Sequence, residues 1–342
     1  MTVSLRGLAA ALTLLALAWP TAAGAHASHG TVFVTERQLG SITAFDAATG
    51  RALWTSSTGA SPIGVTQPRG TGKVYTSDEG ANSMSVFDAG TGASLGTIPM
   101  GPAPHHLLAR GHRIYVGEFG QSTVGVVDTR TDTEVSHLAA SPLPNARTHA
   151  VFVTRDGDDL YAANTRAVRS DRGDVAHIDL RTGRLLCNTE VGIDPSEVLV
   201  TPDGKRGYVS VRGENKVKEL DLRGDCPALT GREAIVGTQP DTLQLTPDGR
   251  TLVVTLRGTP AQVSMLDTAT FSVRTAGIPG HTTTGHHWLS PDGALSYVAV
   301  ENPGGLAIVD NGTGAVLSEL TYPVGNRPHG VFLSPRRWGC SR

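Results

Sequence analysis

Short apolar runs recur along the whole chain, separated by turns rich in glycine, proline and aspartate. Runs such as residues 41–45 and 305–309 end directly in an aspartate. Apolar runs of this length between turn residues are typical of β-strands. Seven aspartates close such runs, at spacings of 42, 40, 51, 42, 46 and 43 residues: Asp46, Asp88, Asp128, Asp179, Asp221, Asp267 and Asp310. A period in the low forties with several strands per unit predicts the blades of a β-propeller.

Each unit repeats one order of strands and turns. In one unit a short apolar strand at 195–201 is followed by the turn Pro202-Asp203-Gly204, a strand at 207–211, and a strand that ends at Asp221. Proline presets φ and glycine accepts a positive φ, so this turn predicts a tight hairpin. We letter the strands of a blade a to d from the axis outward. The turn recurs at 247–249 and 291–293, with a variant at 155–157.

The two ends of the chain complement each other. Seven innermost strands are predicted, near Gly64, His106, Ala150, Glu197, Thr242, His286 and Gly330. The last of them has no b, c or d strand behind it, but the N-terminal region supplies three strands at 31–35, 41–45 and 52–56. A blade built from both ends closes the ring and leaves no open sheet edge. The sequence therefore predicts an all-β, seven-bladed β-propeller over residues 26–335, followed by a C-terminal tail at 336–342.

The first 25 residues have the organisation of a secretory signal peptide. Arg6 precedes an apolar stretch at 8–19, and Ala23-Gly24-Ala25 supplies small residues before a cleavage point at His26. The apolar stretch is shorter than the roughly 20 residues that a spanning helix needs. We therefore expect a secreted or extracytoplasmic monomer without a membrane span.

Charge and cysteine content refine this expectation. Without residues 1–25 the chain has 28 basic and 31 acidic residues, a net charge of −3, which gives no electrostatic reason to expect a nucleic-acid partner. Cys187 and Cys226 lie just beyond the aspartate turns of consecutive repeats, and an exported protein can join them in a disulfide. Cys340, in the tail, is expected to stay unpaired.

The repeat resembles that of the YVTN-type β-propeller proteins, which include lactonase-like propellers. Their pattern of an apolar strand, Pro-Asp-Gly and a Leu-Tyr-Val-Thr-Asn strand has counterparts at 32–36, 114–118, 160–164 and 328–331. Asn164 alone keeps the family's asparagine. The resemblance covers nearly all of the mature chain and implies the fold, whereas members of the family differ widely in function.

Candidate site residues fall where the inner strands begin and where strands b end, since both positions open onto one mouth of the channel. At the start of strand a the seven blades carry His329, Ile63, His105, His149, Ser196, Asp241 and Gly285, with Glu197 and His286 one position further on. At or just after the end of strand b they carry Glu36, Asp78, Glu118, Asn164, Arg212, Arg257 and Glu301. The mouth is thus predicted to be a ring of histidine and carboxylate with a basic flank.

Histidine is the most frequent metal ligand, and carboxylates often complete such sites. We therefore predict a metal site, and an imidazole-rich, sulfur-free ligand set favours copper or zinc. Some seven-bladed propeller enzymes bind copper through a histidine ring, which the resemblance adds as a hint. The predicted metal ligands are His105, His149, His286, His329, Glu36 and Glu118, and the predicted ligand-binding residues are Glu197, Asp241, Arg212 and Arg257.

Other histidines receive different interpretations. His106 and His287 alternate with their neighbours and are predicted to point into the sheet. His26 and His29 would offer a cupric ion two imidazoles and a terminal amine, against a plain exported terminus. Turn or outer-strand positions predict surface or structural roles for His112, His137 and His177.

Three functions remain open from the sequence. The first is an exported binding protein that holds a metal ion or small ligand at the channel mouth. The second is an enzyme, either a copper-dependent oxidoreductase or a lactonase-like hydrolase that uses His105, His149 and Glu197 as acid–base groups. The third is a cell-envelope scaffold whose outer loops contact another protein.

Overall fold

The computed structural model describes residues 30–321 and 326–335. These residues form seven four-stranded antiparallel sheets. Each innermost strand packs beside the innermost strand of the next blade, and these contacts run around a closed ring. The predicted seven-bladed, all-β propeller is therefore confirmed. The predicted signal peptide (1–25), His26, His29 and the tail with Cys340 lie outside the described residues.

The strands are numbered β1 to β28 in chain order, and each blade is given from the axis outward. Blade 1 consists of β28 (Pro328–Pro335), β1 (Gly30–Glu36), β2 (Ser41–Asp46) and β3 (Ala52–Ser57). Blade 2 consists of β4 (Pro62–Thr66), β5 (Lys73–Asp78), β6 (Ser83–Asp88) and β7 (Ser94–Pro99). Blade 3 consists of β8 (Pro104–Arg110), β9 (Arg113–Glu118), β10 (Thr123–Asp128) and β11 (Thr133–Ala139).

The remaining four blades follow the same order. Blade 4 consists of β12 (Ala146–Val153), β13 (Asp159–Arg166), β14 (Arg172–Asp179) and β15 (Arg184–Ile193). Blade 5 consists of β16 (Pro195–Val200), β17 (Arg206–Val211), β18 (Lys216–Asp221) and β19 (Ala228–Ile235). Blade 6 consists of β20 (Pro240–Leu245), β21 (Thr251–Leu256), β22 (Gln262–Asp267) and β23 (Val273–Gly277). Blade 7 consists of β24 (Thr283–Leu289), β25 (Leu295–Glu301), β26 (Gly305–Asp310) and β27 (Val316–Thr321). Two 3₁₀ turns follow strands b of blades 2 and 5, at Glu79–Ala81 and Arg212–Glu214.

Both ends of the chain meet in blade 1, as predicted. Strand β28 pairs antiparallel with β1, and β1 pairs with β2. The repeated aspartates are the last residues of the seven c strands. In blade 2 the carboxylate of Asp88 accepts hydrogen bonds from the backbone N–H groups of Gly90 (3.1 Å) and Thr91 (2.8 Å). The repeat therefore marks one turn geometry on the rim of the ring.

The apolar core lies between the blades rather than at the centre of the ring. Each of seven buried clusters joins two adjacent sheets. For example, Val32 and Phe45 of blade 1 pack with Tyr297 and Ile308 of blade 7. Because this packing holds the sheets face to face, the inner strands remain available to line a channel.

Two further features concern the described residues. A disulfide joins Cys187 to Cys226, with the two Cα atoms 6.0 Å apart, and so links the outer strand of blade 4 to the loop that precedes the outer strand of blade 5. In the part of the chain that the structure describes, no helix has the length and apolar character needed to cross a bilayer.

The inner strands share an irregularity that positions the channel side chains. In all seven blades the pairing between strands a and b contains a β-bulge, with one extra residue in strand a. In blade 3 the bulge lies between Pro104 and Leu107, so it contains His105 and His106. A bulge interrupts the strict alternation of a strand and re-aims its side chains. Two consecutive residues can therefore both face the channel.

Hydroxyl groups of strand b stabilise these bulges and connect neighbouring blades. In blade 2 the hydroxyl of Ser77 accepts a hydrogen bond from the N–H of Gly64 at 2.9 Å and donates one to the carbonyl of His105 in blade 3. Thr35 makes the equivalent pair of bonds from blade 1, to Gly330 and Ile63. The backbone of the predicted site is thus fixed by its neighbour.

Candidate functional site

Histidines from blades 1, 3, 4 and 7 come together in the channel. Six imidazoles, none more than 8% exposed, lie on the inner strands: His105, His106, His149, His286, His287 and His329. The ring of His105 lies 4.4 Å from that of His149, measured between centroids. The ring of His106 lies 4.8 Å from His149 and 4.2 Å from His286, which in turn lies 4.5 Å from His329. The four predicted metal histidines therefore belong to one continuous cluster.

His106 joins this cluster although its strand position predicts the opposite. Its ring stacks on that of His105 at 4.9 Å with an angle of 5° between the planes. The bulge in β8 explains why both neighbours face the channel. In blade 7 the bulge lies between Thr284 and His287, and both His286 and His287 line the cavity described below. The prediction that His106 points into the sheet is wrong. His287 follows the bulge, and its Nδ1 lies 2.8 Å from the hydroxyl of Thr242 on the inner strand of blade 6.

Most of these imidazoles keep a ring nitrogen without a partner. Within residues 30–321 and 326–335, five buried ring nitrogens have no hydrogen-bond partner: His105 Nδ1, His106 Nε2, His149 Nδ1, His286 Nε2 and His287 Nε2. Burial lowers the pKa of each of the six imidazoles below its ordinary value, to about 3 for His106 and His287. The rings are therefore neutral at pH 7, which is the form that binds metal ions.

Three of these rings form the tightest group. The potential ligand atoms of His105, His106 and His149 all lie within 4.8 Å of one another. Phe119 packs beside this group, with its ring 5.2 Å from that of His105 and 5.6 Å from that of His149. A set of three imidazoles with an aromatic wall can bind a copper or zinc ion.

The opposite side of the channel mouth is an ion-pair network. The guanidinium of Arg212 donates to the carboxylate of Asp241 and also to Nε2 of His149 at 2.9 Å. Arg257 lies 3.8 Å from the second oxygen of Asp241. Burial alone would raise the pKa of Asp241, but the two arginines hold it well below its usual range. Asp241 is therefore charged and fully paired.

A second carboxylate extends this network to the histidines. Glu301 accepts hydrogen bonds from Arg257 at 3.2 Å and from Arg327 at 2.6 Å. Its first oxygen lies 3.0 Å from Nδ1 of His329. Burial works against the charge of Glu301, yet the hydrogen bond from His329 and the nearby arginines lower its pKa to about 2. Glu301 thus orients His329, a role that the sequence assigned to no carboxylate.

Glu197 has the opposite electrostatic character. One of its oxygens accepts a hydrogen bond from the backbone N–H of Leu243 at 2.8 Å. Burial, reinforced by the charge of Asp241, raises the pKa of Glu197 to about 8. At neutral pH this carboxyl group therefore carries a proton and is able to donate it.

A cavity of about 340 Å³ lies along the channel next to these groups. Its polar wall contains His106, Glu197, His286 and His287. Its remaining wall is mostly apolar and comes from the same inner strands further along the chain: Leu107, Leu108, Val151, Phe152, Leu199, Leu245 and Trp288. The site thus combines an apolar chamber with imidazole and carboxyl groups at one end, which is typical of small-molecule sites.

The structure places the two other predicted metal ligands elsewhere. Glu36 accepts hydrogen bonds from the hydroxyls of Ser41 and Thr43, the latter at 2.8 Å, on the neighbouring strand of its own blade. Glu118 is likewise bound within blade 3, by Gln121 at 2.8 Å and by Thr123. The side chains of Glu36 and Glu118 both point toward strand c of their own blade, so neither carboxylate joins the histidine cluster.

The sequence did not indicate that His106 and His287 line the cavity. It also did not indicate that Glu301 pairs with His329. A signal for the two histidines was available, because His105-His106 and His286-His287 both follow the start of an inner strand. The bulge that lets both His105 and His106 face the channel leaves no mark in the hydrophobic pattern.

Sequence comparisons agree with this fold. The family model described as "Lactonase, 7-bladed beta-propeller" matches residues 188–270. The model described as "Outer membrane protein assembly factor BamB" matches residues 11–119. No curated protein matches the chain in sequence.

Solved structures are similar over most of the chain. The Kuenenia stuttgartiensis hydrazine synthase structure has a TM-score of 0.70 and 18% identity, covering 89% of this chain and all of that one. A putative 6-phosphogluconolactonase from Bacteroides fragilis has a TM-score of 0.68 and 17% identity, covering 91% and 99%. The periplasmic gluconolactonase of Pseudomonas aeruginosa has a TM-score of 0.67 and 19% identity, covering 89% and 98%. At these identities the likeness concerns the fold.

Proposed function

We propose that this lactonase-like seven-bladed β-propeller is an exported protein that binds a copper or zinc ion in its central channel. The observation that carries the proposal is the convergence of buried, neutral imidazoles with unpartnered ring nitrogens. His105, His106 and His149 would hold the ion. His286 and His329 extend the imidazole wall beside them.

Energetics support a ligand at this position. A buried polar atom without a partner costs about 1 to 3 kcal/mol, so four such atoms on the contacting rings of His105, His106, His149 and His286 are expensive to maintain. In the ion-pair network, by contrast, each carboxylate oxygen of Asp241 faces an arginine. An unsatisfied polar cluster instead points to a bound group that pairs with it. A metal ion accepts several imidazole lone pairs at once, which a neutral organic ligand does not.

The cavity supports a second component. His106 belongs both to the three-histidine group and to the cavity wall. An ion held there would act as a Lewis acid toward a molecule in the chamber. The apolar wall would bind the carbon skeleton of that molecule, while Glu197 would donate a proton to one of its oxygens. The proposed ligand is therefore a small molecule with both an apolar part and a polar oxygen.

Metal analysis of the protein, purified without a histidine tag, tests the proposal. We expect the double variant H105A/H149A to contain about one copper or zinc ion per chain fewer than the parent. The control is H112A, which removes a histidine of the blade 3 hairpin, outside the channel cluster. Equal metal content in the parent and the double variant would refute the site.

A lactonase-like hydrolase is the second candidate. It is favoured by the family model over residues 188–270 and by the protonated carboxyl of Glu197, which lies within that segment. Hydrolysis of a lactone requires a base for the attacking water and an acid for the departing ring oxygen. A neutral channel imidazole would serve as the base and Glu197 as the acid. Assays with gluconolactone should then show turnover that E197Q abolishes and that chelators leave unchanged.

Export is part of the proposal and rests on residues 1–25. Terminal sequencing of the protein recovered from the extracytoplasmic fraction is expected to begin at His26. Recovery of the full-length chain from the cytoplasm alone would overturn this part.

A further inference from the structure

Glu118, Glu134 and His137 form a second cluster on the flank of blade 3. Glu118 ends strand β9, and the other two residues lie on the outer strand β11. Their potential ligand atoms all lie within 4.8 Å of one another. The ring of His137 approaches Glu118 through Nδ1 at 3.1 Å and Glu134 through Nε2 at 3.4 Å. Two carboxylates and one imidazole therefore converge across the intervening strand β10.

Gly125 of β10 provides the space in which these groups meet. A Cβ atom at this position would stand 2.5 Å from Oε1 of Glu134 and 3.2 Å from Oε1 of Glu118. The same Cβ would lie 2.9 Å from the terminal methyl of Met100. Only a residue without a side chain leaves this space open, and the two Oε1 atoms border it from both sides.

Those two oxygens have no partner. Within residues 30–321 and 326–335, Oε1 of Glu118 and Oε1 of Glu134 are buried without a hydrogen bond. Glu118 is fully buried. Its other oxygen is saturated, because it accepts from Gln121 and Thr123 and contacts His137. The unpartnered oxygens of both carboxylates therefore border the space that Gly125 leaves open.

We propose that this space is a second metal site, which takes a divalent transition ion such as Mn²⁺ or Zn²⁺. Two carboxylates at this separation repel each other unless a cation or a proton lies between them. Two carboxylate oxygens and one imidazole nitrogen suit these ions, and three protein ligands leave a position for solvent. The side chain of His137 is 46% exposed and provides the route to solvent.

A metal ion at this site would connect the second strand of blade 3, β9, to its outer strand, β11. Strand β11 alternates between exposed and half-buried residues, so little apolar packing holds it in place. An ion bridging Glu118 to Glu134 and His137 would cross-link β11 to β9. This role is independent of the channel, where His105 and His106 lie on the inner strand of the same blade.

Metal titration of the stripped full-length chain tests this second site. E134Q keeps the shape of the side chain but removes a ligand charge, and G125A fills the space itself. We expect the parent to bind one more equivalent of Mn²⁺ or Zn²⁺ than either variant, and to gain melting temperature on metal addition that E134Q does not gain. The channel equivalent should remain in both variants.

The matched control is E319Q. Glu319 on the outer strand of blade 7 lies 2.6 Å from Nε2 of His281, so it is an outer-strand glutamate–histidine pair without a second carboxylate. E319Q should bind as many ions as the parent. Zn²⁺ should also shift the ring NMR resonances of His137 in the parent and leave them unchanged in E134Q. Unchanged His137 resonances in the parent, or equal stoichiometry in the parent, E134Q and G125A, would show a carboxyl pair that shares only a proton and would overturn the site.

Discussion

The two walls of the channel mouth differ in how their buried polar groups are paired. On the wall formed by blades 5 and 6, Arg212 and Arg257 surround Asp241, and the charges compensate each other. On the wall formed by blades 3, 4 and 7, neutral imidazoles stand together with unpartnered ring nitrogens. Asp241, the carboxylate of the first wall, is therefore paired within the protein, whereas the imidazoles of the second wall keep nitrogens without a partner.

This difference distinguishes the ion pairs, which stabilise the folded ring, from the unpartnered imidazoles, which we propose bind a ligand. Breaking a complete buried ion pair leaves one charge uncompensated, which is strongly destabilising. Removing an unsatisfied imidazole instead removes a cost. Substitutions on the two walls are therefore expected to change stability in opposite directions in metal-free protein, and the four predictions below test this.

The largest effect is expected on the ion-pair wall. D241N retains the shape of the side chain but leaves Arg212 without its counter-charge, so the free energy of unfolding should fall by about 3 to 5 kcal/mol. Urea denaturation at pH 7 measures this loss. The control D203N alters an aspartate of an exposed hairpin turn and should change stability far less. If D241N lowers the free energy of unfolding no more than D203N does, the Asp241–Arg212 ion pair does not stabilise this wall.

A pH-dependent effect follows from Glu197. Its pKa is raised to about 8 in the folded protein, so the stability it contributes is complete below about pH 4.5 and is lost as the pH rises to about 8. E197Q cannot lose this proton, and metal-free E197Q should exceed the parent by on the order of 2 to 3 kcal/mol at pH 8.5. At pH 4 the two should be alike. Urea midpoints across this range measure the difference, and parallel profiles would contradict the raised pKa.

A smaller effect, opposite in sign to that of D241N, is expected for a substitution on the imidazole wall. H106L replaces a buried ring with an unpartnered nitrogen by an apolar side chain, so metal-free protein should gain about 1 kcal/mol. The same variant should lose the rise in melting temperature that copper or zinc gives the parent. Calorimetry with and without chelator measures both. If H106L is destabilised in both conditions, His106 is a structural residue like those of the opposite wall.

The smallest effect is expected far from both walls, on the rim. D88A removes an exposed turn carboxylate that accepts bonds from two backbone N–H groups. Its melting temperature should fall by about 1 to 2 °C with unchanged metal content. A change in metal content would show that the turns on the rim affect metal binding in the channel, which would contradict this expectation.

Much of the fold was predictable because repetition averages out local ambiguity. One aspartate such as Asp88 predicts only a turn, but seven at similar spacing predict the number of blades and the register of every inner strand. The closure of blade 1 by both ends of the chain followed from the same count, since the last inner strand needed partners. The Cys187–Cys226 disulfide was also predicted and is present.

The candidate site was predictable only in part. The register predicted that His105, His149, His286 and His329 share the channel mouth, and the structure brings their rings into one chain of contacts that passes through His106. It failed for Glu36 and Glu118, whose side chains turn toward strand c of their own blade. It also failed for His106, because a β-bulge suspends the alternation on which the prediction depended.

The sequence by itself determined the blades, their number and the level at which function is to be sought. These features depend on periodic patterns of apolar and turn residues, which each blade repeats locally. Only the tertiary structure decided which polar groups meet and which of them remain unpaired. Partners such as Arg212 and His149, or Glu301 and His329, come from different strands or blades. Their pairing depends on side-chain direction at the bulges and on packing across the ring, and neither has a period in the sequence.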